Sequence, residues 1–258
     1  MTGAGQPRTV QVEHCMGTVF TIDIRDPGDW TAAVAAAVGR LRHVDTVFST
    51  YRPDSDISRI QRGELRVGDA DPDVQRVLDL CAQARASTGG AFTAMPRGRL
   101  DPTGLVKGWA IEQASLLLRQ HGAVNHGVNG GGDLQLTGEA SPGQPWVIGI
   151  SDPHDRSRIV STVSGRDLAV ATSGIAERGQ HILDPFTGRP ATALASATVV
   201  GPSLTFADAY ATAAFVLGRP ASRWIDGIDG YQALLIDGGG NRTASRDWPG
   251  QRVTAGAR

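Results

Sequence analysis

The hydrophobic period of the chain changes near its midpoint, and this change restricts the possible folds more than any other feature. After two short alternating segments, the apolar residues up to residue 122 mostly recur at helical spacing. From residue 126 to residue 171 they instead alternate with polar residues in short runs separated by glycine. Helices and strands are thus grouped in runs, which argues against a doubly wound parallel sheet. The pattern predicts an α+β fold with a meander of antiparallel strands.

Capping residues mark the ends of several predicted helices. Asp29 and Asp71 each precede a helical run and offer a carboxylate to the unpaired N–H groups of its first turn. Gly122 and Gly218 follow the last residues of two later helices. The predicted helices cover residues 30–48, 72–87, 105–120 and 206–217. The predicted strands cover residues 10–13, 19–24, 126–129, 134–136, 146–150, 159–163, 168–171, 198–200 and 233–236.

Length and composition bound the domain organisation. A chain of 258 residues with 40% hydrophobic residues can fill a substantial core. Neither a proline-rich linker nor a composition break divides it, so we expect one domain over residues 10–258, preceded by a disordered polar tail over residues 1–9. The two halves of this domain are expected to form lobes around a cleft.

Charge and cysteine usage exclude several classes of function. The net charge is −1 with the signs interspersed, so nucleic acid is not an expected partner. Cys15 and Cys81 lack the spacing of a metal site. The polar start of the chain and the lack of a long apolar segment predict a cytoplasmic protein without a membrane span.

The chain uses lysine once among its 25 basic side chains, at Lys107. A single lysine among arginines suggests a position that needs a compact ammonium rather than a planar guanidinium. Chance and biased codon supply explain the same count equally well when the residue is taken alone.

Asp208 and Thr212 provide a candidate metal site. They are four residues apart in a predicted helix, which places a carboxylate and a hydroxyl on one face. Magnesium prefers such oxygens and takes its remaining ligands from water and substrate phosphates. The alternative is an aspartate near a helix start, favoured by the helix dipole.

Four further segments carry candidate binding groups. Residues 130–132 are glycines that can expose backbone N–H groups to an anion, or simply form a β-turn. Thr172 and Ser173 offer hydroxyls suited to phosphate or ribose, or belong to a loop. His181 can accept a proton near neutral pH, or serve a turn. Tyr51 offers a flat face for a heterocycle, or belongs to a capped turn before a short helix.

Together these segments resemble the ApbE family of FAD:protein FMN transferases. The resemblance covers nearly the whole chain, in the order of the family, and each segment alone is weak. It is carried by residues 16–18, 49–53, 88–92, 101–108, 128–133, 171–174, 181–188 and 207–218.

The resemblance implies an α+β fold around a flavin-binding cleft and a magnesium-dependent enzyme. Such an enzyme transfers the FMN half of FAD to a threonine or serine hydroxyl of an acceptor flavoprotein and releases AMP. The family's metal ligands correspond to Asp208, Thr212 and the carbonyl of Gly104. Thr172 and Ser173 remain candidates for FAD binding, and His181 is the hypothesised general base as well as a candidate FAD contact, with the Lys107 ammonium assisting as a cation. The family's FAD contacts correspond to Met16, Tyr51, Ala91, Phe92, Thr93, Asp101 and Lys107.

One departure from the family pattern leaves other functions open. The family usually has aspartate where this chain has Thr93, and the following segment, residues 94–100, is short and basic. Thr93 favours a non-catalytic protein that binds or delivers FAD. An FAD diphosphatase that releases free FMN and AMP is a further alternative, because the same site would serve if water replaced the acceptor hydroxyl. The sequence does not name the acceptor.

Overall fold

An eight-stranded antiparallel sheet forms the centre of the protein, whose structure is a computed structural model that describes residues 8–175 and 182–252. The strand order is β1-β2-β3-β4-β7-β8-β9-β10. Neighbours in the sheet are mostly neighbours in sequence, so the predicted meander is present. Its strands are β1 (Thr9–Cys15), β2 (Thr18–Ile24), β3 (His126–Gly130), β4 (Asp133–Thr137), β7 (Leu168–Gly174), β8 (Ser196–Gly201), β9 (Gln232–Ile236) and β10 (Arg242–Ala244).

A second sheet of three strands interrupts the meander between β4 and β7. It consists of β5 (Trp146–Ser151), β6 (Ile159–Gly165) and β11 (Gln251–Arg252), in the order β11-β6-β5. The prediction of one continuous meander was wrong here, because β5 and β6 bury their apolar residues in a separate small core with Val170, Val200 and Leu234 of the main sheet.

Asp71 is the N-cap of its helix as the sequence predicts, whereas the N-cap of the first helix is Trp30 and Asp29 lies one residue before it. The carboxylate of Asp71 accepts a hydrogen bond from the backbone N–H of Asp73 at 2.9 Å, and that of Asp29 accepts one from Thr31 at 2.9 Å. The helices are α1 (Thr31–Phe48), α2 (Asp56–Gln61), α3 (Pro72–Ser87), α4 (Thr103–Gln120), α5 (Leu204–Leu217) and α6 (Ala221–Ile225).

The main core lies between the helices and one face of the large sheet. Its largest fully buried side chains include Trp109 on α4, Phe20 on β2 and Phe215 on α5. Helix α4 packs directly on α5 because Gly108 has no side chain: a Cβ there would lie 2.5 Å from the carbonyl oxygen of Leu204. This close packing fixes the position of the residues that face each other across the two helices.

The α+β class and the antiparallel strands are confirmed. Strand β1 begins at Thr9, so the last residue of the predicted tail belongs to the sheet, and the Arg8 guanidinium before it pairs with Asp23 at 2.8 Å. Residues 1–7 lie outside the described residues. Among the helices of the described ranges, none combines the length and the apolar character needed to cross a membrane.

Candidate active site

A cavity of about 930 Å³ opens between the first turns of α4, the end of β7, helix α5 and the small sheet. Every predicted site residue that the structure describes lines this cavity. They are Met16, Tyr51, Ala91, Phe92, Thr93, Asp101, Gly104, Lys107, Thr172, Ser173, Asp208 and Thr212. His181 lies outside the described residues, although the next two residues, Ile182 and Leu183, are part of the cavity wall.

Asp208 is a buried carboxylate, with 5% of its surface exposed. Its Oδ2 accepts a hydrogen bond of 2.9 Å from the backbone N–H of Gly108. The close approach of α4 and α5 makes this bond possible, because a side chain at position 108 would meet the Cβ of Asp208 at 2.8 Å. The close packing of α4 on α5 therefore also fixes the position of the Asp208 carboxylate.

A second buried carboxylate, Asp133, holds the single lysine. Its Oδ2 forms an ion pair with the Nζ of Lys107, and its Oδ1 accepts a hydrogen bond of 3.0 Å from the N–H of Thr172. Asp133 is 1% exposed, whereas the Lys107 side chain is 28% exposed. Sequence reasoning named the preceding glycines and missed the role of Asp133, whose only local signal is its position at the start of β4.

The two carboxylates and the ammonium set the electrostatics of the site. The pKa of Asp208 is raised to about 7. Burial is the main cause, the Lys107 ammonium opposes it, the negative charge of Asp133 adds to it, and the Gly108 N–H opposes it. One ammonium faces two buried carboxylates. A further positive charge in the cavity would therefore stabilise the ionised form of Asp208.

Hydroxyl groups lie on the other side of Asp208. The Oγ1 of Thr212, one turn further along α5, is 3.2 Å from the Oγ of Ser173. The position that a Cβ would take on Gly104 is 3.8 Å from the same Oγ1 of Thr212, and Gly104, Asp208 and Thr212 all line the cavity. The Oγ1 of Thr172 is instead 2.9 Å from the Oγ1 of Thr198 on β8.

The turn between β1 and β2 carries backbone strain. Both of its central residues have positive φ, Met16 at 51° and Gly17 at 68°, as a two-residue type I′ hairpin requires. Glycine adopts this conformation freely, whereas a methionine there is uncommon. The strained turn holds Met16 in the cavity wall. Tyr51, 88% exposed, is at the cavity's edge.

The segment before α4 is ordered by its own hydrogen bonds. Phe92 is buried, and its N–H donates to the Oγ1 of Thr88 at 3.1 Å. The Oδ1 of Asp101 accepts from the N–H of Thr103 at 3.1 Å and from its hydroxyl at 2.6 Å. Asp101 therefore caps the first turn of α4 while it lines the cavity.

The small sheet supplies a wall that the sequence did not predict. Residues 148–153 of β5 and the following turn face the cavity, together with Arg156. Alternating apolar residues identify such a strand, but they do not identify what it faces.

Oxygen donors in the cavity fit a hard divalent cation. A carboxylate, two hydroxyls and a backbone segment border one region, and Mg²⁺ binds such groups together with water or phosphate. Another acidic group within the described ranges, Asp71 and Asp73 with His43, lies outside this cavity. Asp73 there pairs with the Arg40 guanidinium at 2.5 Å, which already neutralises it.

Known proteins share both the sequence and the fold. The family model described as "ApbE family" matches residues 16–97 and 93–235. An "FAD:protein FMN transferase" of Vibrio cholerae is 28% identical over 86% of this chain and 85% of its own length. A protein of the same name from Treponema pallidum is 34% identical over 68% of this chain, a match that spans about half of the Treponema protein, 51%.

Solved structures agree with the fold. "Flavin Transferase ApbE from Vibrio cholerae" superposes with a TM-score of 0.80 at 23% identity, covering 93% of this chain and 97% of that one. The ApbE protein of Thermotoga maritima gives a TM-score of 0.82 at 22% identity, with coverage of 93% and 97%. The predicted resemblance and the predicted enzyme class, a transferase, are confirmed. The two-lobe arrangement stays a prediction. On the extent of the family match, this chain belongs to the ApbE family.

Proposed function

We propose that this chain transfers the FMN half of FAD to a threonine or serine hydroxyl of an acceptor flavoprotein, with magnesium as cofactor and AMP as the second product. The observation that carries the proposal is the buried group of Lys107, Asp133 and Asp208 beside the hydroxyls of Ser173 and Thr212, in a cavity of about 930 Å³. The names of the relatives supply the substrate class.

Asp208, Thr212 and the Gly104 carbonyl are the proposed magnesium ligands. The raised pKa of Asp208 supports this assignment, because a buried carboxylate that lacks a full complement of positive charge is stabilised by a cation. Bound there, magnesium would supply positive charge beside the diphosphate, where negative charge develops during phosphoryl transfer.

Opposite the proposed metal, the cavity offers groups suited to FAD. Tyr51 has a flat exposed ring for a heterocycle, and Met16 adds apolar surface. The hydroxyls of Thr172 and Ser173 and the Lys107 ammonium can donate to phosphate oxygens. Asp133 acts through Lys107: it holds the ammonium in place, and we assign it a positioning role.

The proposed reaction balances as a displacement at phosphorus. The acceptor hydroxyl oxygen forms a bond to the FMN phosphorus, and the bond from that phosphorus to the bridging oxygen breaks, so AMP leaves with the bridging oxygen. The hydroxyl proton needs a base. We assign this role to His181 from the sequence alone, since its neighbours Ile182 and Leu183 line the cavity.

One assay tests the proposal against its alternatives. The protein is mixed with FAD, Mg²⁺ and a candidate acceptor domain, and AMP, free FMN and the acceptor mass are measured. A mass gain by FMN supports the transferase, whereas free FMN without a mass gain supports a diphosphatase, and unchanged FAD supports a binding protein.

Variants connect the activity to the assigned ligands. Asp208→Asn should lower turnover by about 10²–10³-fold, the usual effect of removing one group that stabilises the transition state. The matched control is Asp229→Asn, an exposed aspartate outside the cavity. Equal turnover of the two variants would refute the metal assignment, and calorimetric titration with Mg²⁺ gives an independent readout.

A further inference from the structure

A second cavity, of about 1240 Å³, lies next to the first. The two share the wall residues Thr93, Pro96, Leu183 and Pro185, so they are separated by one loop and one turn. A polypeptide lying in the second cavity would therefore have its neighbouring residues at the entrance of the candidate active site. We call this second cavity the arginine groove.

The arginine groove is strongly basic. Its wall contains Arg62, Arg85, Arg97 and Arg99, all exposed, against one acidic residue, Asp184. The Asp184 carboxylate accepts hydrogen bonds within its own turn, from the N–H of Phe186 at 2.8 Å and the hydroxyl of Thr187 at 2.9 Å. It forms no ion pair with any of the four arginines, and one carboxylate leaves the groove with a net positive charge.

Half of these guanidinium groups are available to a ligand. Arg62 pairs with Glu64 at 2.6 Å, and Arg99 donates to the Oε1 of Gln61 at 3.3 Å. Arg85 and Arg97, by contrast, have neither an ion pair nor a side-chain hydrogen bond with any residue in 8–175 or 182–252. Arg97 also has a positive φ of 54°, between Pro96 and Gly98, a strained conformation that fixes it at the tip of the loop.

Apolar surface accompanies the charge. Met95 is 50% exposed and Phe186 64% exposed, and both belong to the groove wall. Exposed aromatic and methionine side chains next to arginines are typical of protein-binding surfaces. The arginine groove thus fits an extended segment that carries acidic residues and at least one apolar side chain.

The boundary between the two matched pieces of the family model lies in the groove wall. The family model matches in two pieces, residues 16–97 and 93–235, which meet inside the loop that forms the groove wall. The names of the relatives specify FAD but do not specify which protein accepts the FMN. The groove adjoins the candidate active site but contains none of the proposed metal-binding and phosphate-binding groups, which favours the acceptor over the nucleotide as its ligand.

We propose that the arginine groove binds an acidic segment of the acceptor protein next to its target threonine or serine. This inference rests on the proposed function, since it names the chemistry of the acceptor. Exposed ion pairs are individually weak, but two unpaired arginines in one concave surface together attract an acidic segment. The same charges repel basic partners, which makes the surface selective.

The test uses fluorescein-labelled peptides of about 15 residues with one central threonine, whose flanking residues are all Asp and Glu, all Asn and Gln, or all Lys. Binding to the whole chain is followed by anisotropy, without turnover. We expect the acidic peptide to bind best, with an affinity that falls as salt rises. The variant R85E/R97E should raise its Kd about tenfold, because two attractive charges become repulsive.

The matched control is R119E/R223E, which reverses two exposed arginines outside both cavities. It should change the Kd less than twofold. Equal binding of the three peptides, or an equal effect of both variants, would overturn the inference. It would also be overturned if R85E/R97E weakened FAD binding and left peptide binding unchanged, since the groove would then belong to the nucleotide.

Failure of the proposed function gives a different result. The acidic peptide would then bind through Arg85 and Arg97 as expected, yet gain no FMN mass in the presence of FAD and Mg²⁺ while a genuine acceptor domain also stays unmodified. Binding and transfer are separate measurements, so each hypothesis stands or falls on its own.

Discussion

Replacing Gly108 by alanine should weaken both the fold and the site. The added methyl group would lie 2.5 Å from the carbonyl oxygen of Leu204 and 2.8 Å from the Cβ of Asp208. Overpacking of this kind costs about 1–3 kcal/mol, and we take the upper end because the nearer contact is backbone that cannot rotate away. Alanine gains about 1 kcal/mol over glycine within a helix, which leaves a net loss of about 2 kcal/mol.

Gly39 on α1 provides the control. It is an exposed glycine within a helix, and a Cβ there would meet nothing within 4 Å. Gly39→Ala should therefore show the helix gain alone, about 1 kcal/mol. The two variants should differ by about 3 kcal/mol in the free energy of unfolding, or roughly 1 M in urea midpoint at a slope of 2–3 kcal/mol per M.

Urea unfolding followed by tryptophan fluorescence measures this difference. Mg²⁺ binding should weaken in Gly108→Ala as well, since the helices can separate only by moving Asp208 away from the backbone N–H at position 108. If Gly108→Ala unfolds at the same urea concentration as Gly39→Ala, or higher, then α4 and α5 adapt without strain. The argument from close helix packing would then be wrong.

Three further predictions concern single residues. Lys107→Arg should lower the rate of AMP release at least tenfold despite the retained charge, because a planar guanidinium does not fit the place of an ammonium beside Asp133. A variant that releases AMP at the rate of the parent would contradict this. Met16→Asn should stabilise the chain by about 1 kcal/mol in urea, because asparagine tolerates positive φ, yet weaken FAD binding measured by fluorescence. Burial lowers the pKa of His126 from 6.5, so the unfolded chain binds the proton more readily and the free energy of unfolding should fall as the pH drops below 6.5. His126→Gln should remove this contribution to the pH dependence of the free energy of unfolding. Parallel plots of that free energy against pH for the parent and the variant would refute the assignment.

Local signals were enough to predict several elements. Helix α3 has the predicted bounds, Pro72–Ser87, because Asp71 caps it and proline occupies its first position. Helix α5 begins two residues before its predicted start. Its first turn is capped by Glu112, whose Oε2 accepts from the N–H of Thr205 at 2.9 Å. A cap that is distant in sequence leaves no local pattern.

Some residues of the candidate site were predicted and others were missed, because contacts between residues distant in sequence leave no local pattern. The resemblance supplied residues that the structure places around one cavity, since each lies in a recognisable segment. Asp133 was missed because its importance depends on the hairpin of β3 and β4 meeting Lys107 across the fold. The wall at residues 148–153 was missed because alternation predicts a strand but not the sheet to which it belongs.

The pairing of β11 with β6 links the end of the described chain to the cavity of the candidate active site. The Ser161 hydroxyl donates to the carbonyl oxygen of Gln251 at 3.0 Å and accepts from the indole N–H of Trp248 at 3.3 Å. These contacts brace the hairpin of β5 and β6, whose first strand faces the cavity. Proteolytic nicking within residues 248–252 would therefore loosen this wall of the cavity as well as the small sheet.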